Sequence, residues 1–244
     1  MRREKCMGKI CKVTYIKHSG VLVETDSAYL LFDYWEGKVP EIDSKKHLYV
    51  FASHVHHDHY SRDIFKLENA CVNVDYILSD DIRTGSSDWK KAENVTFMDS
   101  DQETSVGDLR IKTLWSMDEG VAFLVKMDGL TVYHAGDLHW WYWPGDSDEE
   151  NEGRRQREYK GEIAKIVGEK IDIAFVVLDP RQEYAGGYGM DVFLSSVGGR
   201  YVFPIHLWEN YDYLKTYKAK NDSKYLGSRI MDISRQGECF EIEL

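Results

Sequence analysis

The feature that most constrains this sequence is a continuous apolar run at residues 47–52 that ends directly in a cluster of histidines. A run of this length and composition is typical of a buried strand. His54, His56, His57, Asp58 and His59 then follow within six residues. We therefore expect a sheet in which one strand end presents these side chains at the edge of the fold.

The spacing of this cluster favours metal binding. Residues two apart in an extended segment point the same way, so His54 and His56 can place both imidazoles on one ion. If the chain then turns, Asp58 and His59 reach a second position, and two ions about 4 Å apart can share one hydroxide. Nitrogen and carboxylate ligands without thiolate suit zinc and also manganese or iron. The alternatives are a solvated turn or core histidines, which so dense a cluster disfavours.

Patterns typical of strands and helices surround the cluster in a repeated order. Asp128 and Gly129 predict a hairpin turn, and Ser61 an N-cap. The predicted strands are residues 12–16, 20–25, 29–33, 47–52, 71–78, 95–98, 109–114, 121–125, 130–134, 171–178 and 201–206, and the predicted helices are residues 61–68, 146–170 and 191–197.

The order of these elements predicts the fold class. A β-meander with a β/α segment occurs twice, which is expected of two stacked sheets with helices outside. We therefore expect an α/β (α+β) fold, a four-layer αββα sandwich. No segment has the composition of a linker, so residues 1–244 are predicted to form a single domain.

Charge and composition indicate which classes of binding partner to expect. The formal net charge of -11 disfavours nucleic acid and anionic lipid surfaces, so we expect a small-molecule substrate. No apolar stretch follows the basic start or is long enough to span a bilayer, which predicts a cytoplasmic protein without a membrane contact.

The cysteines form no CxxC pair, and we expect Cys6, Cys11, Cys71 and Cys239 to be reduced. The sequence leaves the oligomeric state open.

Three motifs together resemble a known superfamily. Residues 53–59, SHVHHDH, resemble the HxHxDH signature of the metallo-β-lactamase superfamily. Residues 132–137, VYHAGD, resemble the YHAGD segment of the branch that includes the ascorbate-phosphate lactonase-like metal-dependent hydrolases. Residues 202–206, VFPIH, resemble the strand whose final histidine completes the second metal site. The resemblance implies the metallo-β-lactamase type of αββα sandwich.

The resemblance also implies a ligand set. A first site would use His54 and His56, a second site would use Asp58, His59 and His206, and Asp137 would bridge them. The family's third first-site histidine is missing, because residues 114–120 contain none. Asp118 is the natural substitute and Glu119 the competing candidate. A carboxylate there would favour manganese or iron, or weaken occupancy, so we expect one or two ions, with Zn2+ first and Mn2+ or Fe2+ as alternatives.

Three further histidines have separate interpretations. His57 occupies the position that the family leaves variable, and alternation points it away from His54 and His56. His134 is a candidate for a hydrogen bond to a metal ligand or for a structural role. His139 is a candidate general acid or anion-binding group.

Aromatic and basic residues follow Asp137. Trp140, Trp141, Tyr142 and Trp143 are predicted to line the pocket, with core capping or an oligomer contact as the alternative. A solvated helix face is the favoured interpretation for Arg154, Arg155 and Arg157. Arg181 is the better anion-binding candidate.

These residues predict a metal-dependent hydrolase. A metal-bound hydroxide would attack a small-molecule ester, lactone or phosphorylated substrate. Asp58, Asp137 and His139 are the predicted catalytic residues, with Asp137 orienting the hydroxide. A nuclease or phosphodiesterase of the same fold needs a basic surface, which the net charge disfavours. The remaining alternatives are a non-catalytic metal-binding protein and a di-iron oxidoreductase, which usually needs a flavin domain.

Overall fold

The computed structural model describes residues 10–71 and 73–244. These residues form two seven-stranded sheets with helices outside. The strands are β1 Ile10–Lys17, β2 Gly20–Glu24, β3 Ala28–Phe32, β4 His47–Ala52, β5 Val74–Ser79, β6 Val95–Met98, β7 Glu103–Val106, β8 Leu109–Trp115, β9 Val121–Met127, β10 Leu130–His134, β11 Ile173–Val177, β12 Tyr201–Ile205, β13 Arg229–Ile230 and β14 Glu238–Glu243. The helices are α1 Asp80–Gly85, α2 Gln156–Ala164, α3 Tyr188–Ser196 and α4 Tyr211–Asn221, with 3-10 segments at Arg62–Asn69, Asp88–Lys91 and Pro180–Ala185 and a π-helical segment at Glu149–Arg155.

Both sheets combine an antiparallel half with a parallel half. The first sheet has the order β14-β1-β2-β3-β4-β5-β6, and the second has the order β13-β12-β11-β10-β9-β8-β7. Strands β3 to β6 run parallel, and so do β10 to β13. The carboxyl ends of parallel strands meet at one edge of a sheet, where ligands usually bind.

The sheets pack through aromatic side chains. Phe32 and Phe51 stack with ring centroids 4.5 Å apart, and Phe51 meets Phe123 of the second sheet at 5.3 Å. All three rings are fully buried. A second apolar cluster covers the other face of the first sheet and includes Ile64 and Ile82 from its outer helices. The stacked sheets flanked by helices confirm the predicted sandwich.

Several boundaries differ from the sequence predictions. Residues 95–98 extend the first sheet as β6, parallel to β5, rather than joining the second meander. The helix predicted over residues 146–170 is a π-helical segment followed by α2, which ends at Ala164. Strand β14 was not predicted; it pairs with β1 across almost the whole sequence, a contact that local periodicity does not encode.

Other predictions hold. Asp128 and Gly129 both have positive φ, as a two-residue hairpin turn between β9 and β10 requires. The side chain of Ser61 accepts a hydrogen bond from the backbone N–H of Asp63, as an N-cap does, although the segment it caps is 3-10 rather than α-helical.

Two further features bear on the sequence predictions. Among the described cysteines, Cys11 and Cys71 are buried and Cys239 is exposed, whereas Cys6 lies outside the described residues. Across residues 10–71 and 73–244, no helix combines the length and apolar character needed to cross a membrane.

Candidate metal centre

The histidine cluster leaves β4 and turns as its spacing predicts. His54 is fully buried, whereas the side chain of His56 is 44% exposed. The backbone N–H groups of His59 and Tyr60 both donate to the carbonyl of His56 and close the turn. Asp81 of α1 accepts from the backbone N–H of Val55 at 2.7 Å and holds the loop against the helix.

Asp137 lies between His54 on one side and His59 and His206 on the other. It follows β10, and its Oδ2 is 3.6 Å from Nε2 of His54. Its Oδ1 is 3.0 Å from Nε2 of His59 and 3.3 Å from Nε2 of His206, which follows β12. The two oxygens therefore face different imidazoles, as those of a bridging ligand would, and donor atoms of His54, His59 and Asp137 lie within 4.8 Å of one another.

Unpartnered atoms converge on this carboxylate. The Nε2 atoms of His18, His54, His59 and His206 and the Oδ1 of Asp137 are buried without a hydrogen bond. A buried polar atom left unsatisfied costs about 1–3 kcal/mol, so such a group needs an explanation. Imidazole nitrogens and carboxylate oxygens are the donors that transition metals prefer. The residues fit one or two divalent ions.

Buried hydrogen bonds determine which ring nitrogen carries the proton in His54, His59 and His206. Nδ1 of His59 donates to Asp33 at 2.8 Å, and Nδ1 of His206 donates to Asp179 at 2.9 Å. Ser53 donates its hydroxyl proton to Asp33, and therefore accepts from Nδ1 of His54. Each ring thus carries its proton on Nδ1 and turns Nε2 toward the site, an arrangement common around metal ligands.

Charges within the site compensate one another without a metal. Burial raises the pKa of Asp137, but His59 and His206 outweigh this effect and hold it well below its usual value. Burial lowers the pKa of His59, yet Asp137 and Asp33 raise it well above the usual value. Burial lowers the pKa of His54 to about 3. A metal ion in the site would likewise compensate the charge of Asp137.

The loop after β8 brings the two candidate carboxylates to His56. Asp118 groups with His56 and Asp137, with one donor atom of each within 4.8 Å of the others. Its Oδ2 is 3.9 Å from Nδ1 of His56, whereas Oε2 of Glu119 is 3.0 Å from Nε2. Gly120 has φ of 71° and packs so closely on the Ser53 carbonyl that any Cβ would clash. This close contact holds the loop after β8 against the backbone of Ser53, next to His54.

Three residues of the centre were missed in the sequence. His18 joins Asp58, His59 and His206 in one group of donor atoms within 4.8 Å of one another. Burial lowers the pKa of His18 to about 4. Asp33 and Asp179 are fully buried and hold the ligand histidines. Both aspartates end apolar strands, as His54 does, and that signal could have identified them.

The remaining histidines lie outside these groups. His57 is 89% exposed and points away, as alternation predicted. Nδ1 of His134 accepts from the backbone N–H of Gly136, so Nε2 donates to the Ser19 carbonyl at 2.9 Å, and His134 bonds backbone rather than a ligand side chain. His139 is fully buried and donates from Nε2 to Gln182, and burial lowers its pKa to about 4. The described hydrogen bond of His139 therefore joins it to Gln182 and not to a candidate metal ligand.

A cavity of about 360 Å³ opens over the candidate metal ligands. Of the aromatic residues at positions 140–143, Trp141 and Trp143 line this cavity. Trp140 lines a larger cavity of about 540 Å³ that contains none of the predicted metal ligands, and the ring of Tyr142 lies 5.4 Å from that of Tyr188. Only half of the aromatic cluster therefore faces the candidate centre.

Arginines complete the wall of the smaller cavity. Arg154, Arg155 and Arg181 line it, whereas Arg157 is exposed elsewhere. Arg181 pairs with Asp179, and its guanidinium lies 4.6 Å from the ring centroid of Trp208. The side chain of Arg154 is 46% exposed and pairs with Glu150 and Glu158 along its own segment, as a solvated helix face predicts, whereas the side chain of Arg155 is only 18% exposed.

Comparison with solved structures finds the same fold in proteins of low sequence identity. Igni18, a metallo hydrolase from Ignicoccus hospitalis, has 17% identity and a TM-score of 0.63 over 96% of this chain and 99% of its own. YhfI from Bacillus subtilis, a metallo-β-lactamase fold protein, has 18% identity and a TM-score of 0.58 over 95% and 99%. CmlA, a diiron β-hydroxylase from Streptomyces venezuelae, has 11% identity and a TM-score of 0.59 over 97% of this chain but 54% of its own.

Sequence comparison identifies the family. No curated protein matches the chain. A family model described as a β-lactamase superfamily domain matches residues 12–142, just over half of the sequence. The matched segment contains the histidine cluster and Asp137, and the two-sheet fold agrees with it. The chain therefore belongs to the metallo-β-lactamase superfamily.

Proposed function

We propose that this protein is a metal-dependent hydrolase of a small-molecule ester, lactone or phosphorylated compound. The observation that carries the proposal is the Asp137 carboxylate: its Oδ2 faces Nε2 of His54 and its Oδ1 faces Nε2 of His59 and His206, and all three nitrogens are buried without a hydrogen bond. His54, His56 and Asp118 would hold one ion, and Asp58, His59 and His206 the other.

The metal ions, when bound, would polarise the substrate and make water acidic enough to act at neutral pH. The side chains of the protein would position a water molecule and accept its proton. Asp58 and Asp137 both line the cavity, so their carboxylates can orient a water molecule and accept its proton. The cavity volume lies in the range of small-molecule sites, which usually span about 300–1,000 Å³.

The cavity wall favours an anionic substrate. Arg155 uses Nη1 for Asp146 and Asn151, and Arg181 uses Nε and Nη2 for Asp179. Guanidinium groups have five N–H donors, so each arginine retains donors for a carboxylate or phosphate. These contacts support a phosphorylated or acidic lactone substrate, the class suggested by the likeness to the lactonase-like branch.

Zinc is the proposed metal, with manganese or iron as competitors. Two buried histidines at the second site suit zinc, whereas Asp118 makes the first site harder. The diiron centre of CmlA shows that iron occurs in a protein of similar fold.

The proposal is tested by metal analysis followed by a hydrolysis screen. Wild-type protein purified with supplied metal should carry one to two transition-metal ions, and a double variant His54→Ala/His56→Ala should lose the first-site ion. The matched control His57→Ala changes an exposed histidine of the same loop and should retain wild-type metal content.

The metal-loaded protein is then screened with esters, lactones, phosphomonoesters and phosphodiesters. Turnover of esters, lactones or phosphomonoesters by wild-type protein, lost in Asp137→Asn, supports the proposal. Wild-type protein that binds no transition metal contradicts it. Metal binding without turnover of any class favours a non-catalytic metal protein, and turnover of phosphodiesters alone favours the nuclease alternative.

A further inference from the structure

His18 occupies a backbone position that is unfavourable for a side chain. It is the first residue of the two-residue turn between β1 and β2, where Lys17 pairs with Gly20. Its φ is 56°, and such hairpin positions favour glycine or asparagine because a Cβ crowds the backbone there. Strained residues of this kind concentrate at functional sites. The position therefore points to a use for the imidazole.

The ring of His18 is directed into the candidate centre. The residue is 6% exposed, and its Nε2 is buried without a hydrogen bond. Nε2 lies 3.5 Å from Oδ2 of Asp58, and the ring centroids of His18 and His206 are 4.1 Å apart. Ligand atoms of one metal ion lie about 3–4 Å from one another, because each is roughly 2 Å from the ion. The position of His18 agrees with that spacing.

The second sheet fixes the turn that carries His18. The carbonyl of His18 accepts from the backbone N–H of His206 at 3.3 Å. The next carbonyl, of Ser19, accepts from Nε2 of His134 at 2.9 Å. Both donors follow or end strands that also deliver metal ligands, so the turn and the second site are held as one unit.

The two sites differ in exposure. At the first site, His54 is buried, but the side chains of His56 and Asp118 are 44% and 53% exposed. At the second site, His18, His59 and His206 are buried, and the side chain of Asp58 is 15% exposed. Electrostatic attraction between an ion and its ligands is stronger where water is excluded. The second site therefore has the more favourable environment for a cation.

We propose that His18 is a direct ligand of the second metal ion, which makes the second site the tighter of the two. This inference rests on the metal centre of the proposed function. The superfamily resemblance implied Asp58, His59 and His206 with the bridging Asp137, and His18 adds a fourth unshared ligand. The first ion to bind enters the second site, and the first site, which has an aspartate in place of a histidine, fills later.

The test separates the two sites by titration. Metal-free protein is titrated with Co2+ and, in competition with a chromophoric chelator, with Zn2+. His18→Gly removes the imidazole and suits the positive φ, so the metal-free variant should melt at or above the wild-type temperature. We expect it to bind the first equivalent at least about tenfold more weakly than wild type and to change the visible Co2+ spectrum of that equivalent.

The matched variant His56→Ala should weaken only the second equivalent. Unchanged first-equivalent affinity and spectrum in His18→Gly overturn the proposal while leaving the metal centre intact. Weaker binding with an unchanged spectrum also overturns it, because His18 would then position Asp58 rather than contact the ion. Loss of the first equivalent in His56→Ala overturns the order of the sites. Wild-type protein that binds no metal defeats the proposed function as well.

Discussion

At the scale of single residues, His56 differs from the buried histidines in the ring nitrogen that faces the centre. Its Nδ1 lies toward Asp118, and its Nε2 lies 3.0 Å from Glu119 on the opposite side. Ligand histidines usually bind the metal through one nitrogen and a carboxylate through the other. The geometry favours Asp118 on the metal side of His56 and Glu119 on the outer side.

Replacement of these two carboxylates should therefore have unequal effects. Asp118→Ala should lower first-site affinity by at least about tenfold, and more than Glu119→Ala does, because it removes a direct ligand. Asp118→His should be tolerated and shift preference toward zinc, since imidazole suits that metal. Metal content after dialysis against a graded chelator measures both effects.

Circular dichroism must show that each of these variants remains folded. Full metal content in Asp118→Ala, with loss in Glu119→Ala, would transfer the ligand role to Glu119. Full content in both would leave the first site with two protein histidines.

At the scale of elements, the residues of the candidate centre lie at or just after the carboxyl ends of strands. The ends of β3 and β4 supply Asp33 and His54, and the ends of β10, β11 and β12 supply Asp137, Asp179 and His206. Parallel strands bring their carboxyl ends to one edge, which explains why residues distant in sequence meet there. In the segment that follows β10, Trp140 lines one cavity, and Trp141 and Trp143 line another.

That arrangement predicts different effects for neighbouring tryptophans. Trp141→Ala should raise KM for the best substrate of the screen about two- to tenfold, because an aromatic contact contributes about 0.5–1.5 kcal/mol. The adjacent control Trp140→Ala faces the other cavity and should leave KM near the wild-type value. Steady-state kinetics on variants with matched metal content measures the difference. Equal KM changes in both variants would mean that the cavity over the ligands does not hold the substrate.

At the scale of the whole molecule, the candidate centre joins the two sheets. His18 and His54 belong to the first sheet's segments, and Asp137 and His206 follow strands of the second. These donors are far apart in the unfolded chain, so a metal ion binds the folded state preferentially. Metal affinity is therefore coupled to the free energy of unfolding.

Metal removal should accordingly lower the thermal stability. At a free metal concentration 100 times the Kd, binding stabilises the fold by about 2.7 kcal/mol. For a chain of this size, that corresponds to a Tm increase of about 5–10 °C. Calorimetric scans of the chelator-treated protein, before and after Zn2+ is restored, measure the shift. An equal shift with potassium chloride, or none in protein shown to be metal-loaded, would contradict this coupling.

Local features of this protein could be predicted from its sequence. The apolar run before His54, the turn at Asp128 and Gly129 and most strand positions follow from contacts between residues close in the chain. The cluster at residues 54–59 also indicated its own chemistry, because ligand type and spacing lie within one short segment.

The contacts between distant segments became visible only in the folded chain. It paired β14 with β1, moved β6 into the first sheet, and divided the tryptophans between two cavities. It also brought His18 to His206, although the two lie far apart in the sequence. These contacts depend on strand pairing and sheet packing between residues far apart in the sequence. The periodicity of a short segment does not encode them.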